Sequence, residues 1–131
     1  MPFPVDAKFI DEAERKLGVT FPSMFRGRVM KDNGGDIEAG DDDWQLFPFF
    51  DNSDRKRIAR TANDVVRETT KAREWPAFPP GAVAIASNGT GDLLVFLPKD
   101  GAPSELAPEV HRWSHEDGTT EPVADSFADL V

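Results

Sequence analysis

Val83-Ala84-Ile85-Ala86-Ser87-Asn88-Gly89-Thr90-Gly91-Asp92-Leu93-Leu94-Val95-Phe96-Leu97 reads as two strands joined by a turn. Each flanking run is short, apolar and uninterrupted, and so strand-like. Asn-Gly between two apolar runs is a strong hairpin signal, although this connection is longer than a two-residue loop. Gly89 and Gly91 permit positive φ, and the Asn88 and Asp92 side chains can bond the turn backbone. An antiparallel pair therefore sits near the centre of the chain.

Outward on the C-terminal side, residues 110–115 fit another strand, with Val110, Arg112 and Ser114 on one face and His111, Trp113 and His115 on the other. Asp117-Gly118 marks a turn, residues 119–123 return as a strand, and Asp125 or Ser126 caps a short helix with Phe127 and Leu130. On the N-terminal side, a Pro-rich break covers residues 75–81. Before it, residues 55–73 read as one helix after a Ser53-Asp54 cap, burying Ile58, Ala62, Val65, Val66 and Thr69. Short strands fit residues 36–38 and 44–48, separated by a Gly40-Asp41-Asp42-Asp43 loop. Phe47, Phe49 and Phe50 include core residues. Two helices open the chain. The first spans residues 6–17, with Ile10, Ala13 and Leu17 on its dry side, an Asp6 cap and a Gly18 stop. The second starts at Pro22, carries Phe25 and Val29, and ends at Asn33-Gly34-Gly35. Helices and strands segregated in this order predict an α+β fold with a mostly antiparallel sheet of about five or six strands and flanking helices.

The 131 residues suit a single domain spanning 1–131. With 39% apolar residues, 10 Phe and 3 Trp, the chain has material for a core and does not read as disordered. There is no Cys, which excludes a disulfide scaffold, a thiolate metal site and a cysteine nucleophile, and fits a reducing, cytoplasmic compartment. No apolar run approaches the roughly 20 residues a membrane helix needs, and no secretory signal opens the chain, so no membrane partner is expected. Net charge is −9, but it is uneven: residues 55–73 carry a local +5, and residues 36–54 hold seven acids and no base. So acidic a chain is a poor general binder of nucleic acid, and the basic helix reads as a solvated outer face.

Four blocks of the chain, in order, resemble the SUKH superfamily, which includes fungal cell-wall regulators and many bacterial immunity proteins. Residues 9–22 resemble its opening, an acidic helix, Leu17-Gly18, then Phe21-Pro22. Asn33-Gly34-Gly35 matches the ending of its second helix, Asn88-Gly89-Thr90-Gly91-Asp92 its central hairpin, and Val110-His111-Arg112-Trp113-Ser114-His115-Glu116 with Ser126-Phe127 its end. The chain departs from the family pattern at Ser23-Met24-Phe25 and Arg26-Gly27-Arg28. The resemblance implies a SUKH-like fold, no cofactor, and binding rather than catalysis. It points to neutralising a toxin domain, often a nuclease, within a polymorphic toxin system, or to a regulatory protein–protein interaction.

The residues offer no enzyme. His111 and His115, four apart on a strand, stand roughly 13 Å apart, too far for one zinc. The central turn lacks the Lys of a phosphate-binding loop and the helix that would follow it. Ser87, Ser114 and Ser126 sit in no Gly-x-Ser-x-Gly elbow. Three adjacent carboxylates, Asp41, Asp42 and Asp43, repel one another and favour exposure. Such a patch either aids solubility or docks a basic partner, such as a nuclease toxin that grips phosphates. Trp44 beside them is either an aromatic anchor or a core residue. The candidate partner-binding set is Glu38, Asp41, Asp42, Asp43, Trp44, Asp51 and Asp54. The candidate structural set is Asn33, Gly34, Gly35, Asn88, Gly89, Gly91, Asp92 and Trp113.

Overall fold

The computed structural model describes residues 3–130; Met1, Pro2 and Val131, part of the domain expected from the sequence, lie outside them. Among the described residues the elements run α1 (Ala7–Leu17), α2 (Ser23–Lys31), β1 (Gly35–Ala39), β2 (Asp42–Leu46), α3 (Arg55–Arg60), α4 (Val65–Ala72), β3 (Val83–Ser87), β4 (Leu93–Lys99), β5 (Ala102–Trp113), β6 (Thr120–Ala124) and a 3₁₀ turn (Phe127–Leu130). The six strands form one sheet in sequence order, each pair antiparallel. The fold is α+β, as expected.

The opening helices follow their signals. The Asp6 carboxylate accepts from the Lys8 N–H, and Gly18 closes α1 at φ 70°. Phe9, Ile10 and Ala13 are buried, and Phe25 and Val29 anchor α2. Pro22 stands one step outside α2, at its cap, rather than in its first turn. Arg26 ties the two helices together through Glu14 at 2.6 Å and Asp11 at 2.8 Å. The Asn33 amide mimics a strand: it donates to Phe49 O at 2.9 Å and accepts from Phe49 N–H at 2.7 Å. Gly34 and Gly35 then turn the chain into β1 at φ 111° and 94°, values only glycine adopts cheaply.

The helix expected over residues 55–73 is two. The Asp54 and Asp64 carboxylates accept from the N–H groups of Arg57 and Arg67, so each starts its own helix. Between them Thr61 closes α3. Its hydroxyl donates to Arg57 O at 2.7 Å and accepts from Asp51 N–H at 2.9 Å. The expected buried stripe shrinks to Val65 and Thr69, because Ile58 and Ala62 face solvent. The Thr69 hydroxyl accepts from Ala84 N–H at 3.0 Å, beside a β3–β4 register shift.

β5 is longer than expected. Residues 102–108, ahead of the strand expected from residue 110, include Pro103 and Pro108, which cannot donate to a ladder. Instead Thr20, between α1 and α2, pairs with this stretch: Thr20 N–H donates to Ser104 O at 2.8 Å, and Leu106 N–H to Thr20 O at 3.0 Å. The sheet curls until the β1–β2 turn meets β6; a Cβ on Gly40 would lie 3.3 Å from Val123 Cγ1. The 3₁₀ turn packs against α2, β1, β5 and β6. Phe21, Phe25, Phe49, Phe96 and Phe127 form a ring cluster there, Phe25 lying 4.9 Å from Phe127 and 5.1 Å from Phe96.

Candidate functional site

The acidic segment is a hairpin rather than a loop. β1 and β2 pair Ala39 with Asp42, leaving Gly40-Asp41 as a two-residue turn. Both turn residues have positive φ, 57° and 64°, the backbone a tight hairpin of this hand needs, and Asp tolerates it better than most side chains. Strand alternation then splits the segment in two. Ile37, Ala39, Trp44 and Leu46 point into the core, while Asp36, Glu38, Asp43 and Gln45 face solvent. Glu38 stands directly opposite Asp43. Like charges in that position repel. No basic side chain pairs with Glu38, Asp41 or Asp43 among the described residues.

Two of the candidate residues, Trp44 and Asp51, are buried, and a third, Asp42, is half-buried. Trp44 is 1% exposed, so of its two readings the core residue holds, and it offers no aromatic anchor. Its indole N–H donates to Ala39 O at 2.9 Å, bracing the hairpin from inside. Asp51 is 2% exposed and accepts from Ser53, organising the turn into α3. Asp42, on the inner face, accepts from Asn88 Nδ2 at 2.8 Å and lies 3.8 Å from Arg112 Nη1. Asp54 is exposed but serves as the α3 cap.

The central turn and the last strands meet at this end of the sheet. Asn88 Oδ1 accepts from the N–H and hydroxyl of Thr90, closing the turn as its residue type suggests. Asp92, read from the sequence as doing likewise, reaches instead across the sheet. It accepts from Arg112 Nη2 at 2.8 Å and from His115 N–H at 3.2 Å, and lies 2.7 Å from His115 Nδ1. Burial alone would raise the Asp92 pKa. The hydrogen bonds from Arg112 and His115, with the guanidinium charge, outweigh it and hold the carboxyl below its ordinary value. Arg112 in turn lies over the Trp44 ring, 5.2 Å from its centroid. Gly91 must be glycine, since a Cβ there would meet the His115 ring at 3.0 Å. Trp113 is buried and donates to Ala77 O at 3.2 Å. The sequence singled out Asn88, Asp92 and Trp113, but nothing in their spacing marked Asp42 and Arg112 as their partners.

The basic residues lie beside the acidic face. Lys56, Arg57 and Arg60 stack on the Phe3 ring at 5.8, 5.0 and 4.9 Å from its centroid. Phe3, Arg60 and Asn63 share a cleft of ≈ 360 Å³ with Asp36 and Gln45 of the hairpin's outer face. A second, more apolar groove of ≈ 290 Å³ runs between α1 and α4, over Phe9, Phe49, Phe50 and Val65. Among the described residues no His, Asp and Glu side chains converge to hold a metal ion, and no helix is long and apolar enough to cross a membrane. The hairpin carries exposed acids on one face and is braced from within by the Trp44 side chain on the other. The family model described as SMI1 / KNR4 family (SUKH-1) matches residues 4–131. A search of curated proteins finds no match.

Proposed function

The chain belongs to the SMI1 / KNR4 family (SUKH-1), and we propose that it is a non-catalytic immunity-type protein of the cytoplasm. It binds and neutralises a toxin domain, a basic nuclease in this reading, through the outer face of the β1–β2 hairpin. The observation that carries this is the uncompensated acid at Glu38, Asp41 and Asp43, crowded on one side of a hairpin whose other side is core. A cationic partner relieves that repulsion, and its field steers it in, raising the association rate. The exposed acids of the candidate set stay in the proposal. Asp42 supports them by holding the hairpin to Arg112.

The test starts with capture from the lysate of the producing cells. One basic partner, bound 1:1 and toxic when expressed alone, is the expected result. Changing Glu38→Gln, Asp41→Asn and Asp43→Asn together should then slow association about tenfold or more with the fold unchanged. Unaltered kinetics would remove the acidic face from the interface. The alternative reading is a regulatory protein–protein interaction module. It is favoured by Trp75 and Phe50, 51% and 39% exposed, which offer contacts away from the hairpin. Several weaker partners, retained when salt is raised, would support it.

A further inference from the structure

The acidic face and the basic α3 are two ends of one surface. Along it stand Glu38 and Asp43, then Asp36 and Gln45, then the cleft with Phe3, and finally Lys56 and Arg57 over the Phe3 ring. Charges are crowded at both ends. Glu38 faces Asp43 across the strands, and Lys56 shares one ring with two arginines. Lys56 has no acidic partner among the described residues, and Glu38 and Asp43 have no basic one. A two-fold axis over the middle of this surface, beside Gln45 and the cleft, would bring the acids of one copy towards the bases of the other, twice.

We propose that the occupant of this surface, in the absence of another partner, is a second copy of the chain, held in an isologous dimer by these reciprocal charge pairs. Charge complementarity argues for a second copy, because both halves of the match lie side by side on one molecule. The inference stands independently of the toxin. A basic partner would use the same acids and so would displace the second copy.

Net charge −9 on each copy opposes pairing at long range. At about 10 mM salt the screening length is about 30 Å and this repulsion acts across the whole dimer; at about 0.15 M it falls to about 8 Å, and contacts of a few ångströms survive. At about 1 M the pairs themselves are screened. The dimer should therefore peak at intermediate salt. Sedimentation equilibrium across that range should give an apparent mass that rises towards twice 14.5 kDa and falls again. Glu38→Lys and Lys56→Glu should each sediment as a monomer throughout. An equimolar mixture of the two should regain the dimer, since one pair then keeps its original signs and the other is restored with its signs exchanged. A chain that stays at 14.5 kDa at every salt overturns the proposal. So does a mass that climbs steadily with salt, the signature of an apolar contact, or a mixture that stays monomeric.

Discussion

Asp92 binds the side chains of Arg112 and His115 together where the central hairpin meets the end of β5. Because its pKa is lowered on folding, the stabilisation it supplies is complete above the ordinary carboxylate value of about 3.8 and is lost as pH falls through the lower folded value. Asp92→Asn should therefore cost about 1–3 kcal/mol near neutral pH. The gap between variant and parent should close as the solution is acidified below that value, read by thermal melts across the pH range. A gap independent of pH would mean that the lost contacts are not those of the carboxylate charge. Turn chemistry identified Asp92 from the sequence, but as a bond within its own turn. Its real partner lies across the sheet, and local spacing carries no information about such a contact. Trp44 shows the converse. Its burial follows from strand alternation alone once β2 begins at Asp42, and treating Asp42 and Asp43 as loop concealed that alternation.

At the scale of elements, the first two helices, the central hairpin and the last strand were legible because caps, glycines and apolar periodicity agreed there. The break between α3 and α4 was not legible: residues 55–73 read as one helix, and the Asp64 cap that starts α4 lies within its continuous basic face. The opening stretch of β5 was hidden by Pro103 and Pro108, since its pairing with Thr20 depends on how α1 and α2 are placed. Gly27 provides a test of local energetics. It lies inside α2, and a Cβ added there would meet nothing within 4 Å. Gly27→Ala should raise stability by roughly 0.5–1 kcal/mol. Chemical denaturation with an unchanged slope checks it, and a loss of stability would show that α2 needs the freedom glycine gives.

For the whole molecule, the curl of the sheet is what the sequence did not announce. It brings Gly40 and Val123, far apart in the chain, so close that a Cβ added to Gly40 would lie 3.3 Å from Val123 Cγ1. The 3₁₀ turn fills the inside of that curl through Phe127, which is 1% exposed and touches Phe25. Phe127→Ala should cost about 3–5 kcal/mol, a large part of a small domain's stability. Denaturant unfolding measures it; a loss below about 1 kcal/mol would show that the turn is only loosely seated. The site was legible as an acidic segment, while its division into braced and free carboxylates needed the strand register. That division has a consequence for how the protein can change over generations. On β1 and β2 the residues that hold the fold and those that meet the outside alternate one by one. If the outer face is the interface proposed above, a single substitution at Asp36, Glu38, Asp43 or Gln45 would alter what is recognised while leaving Ile37, Trp44 and Leu46 in place. Partner choice on such a hairpin can drift in single steps, each carried by an intact scaffold.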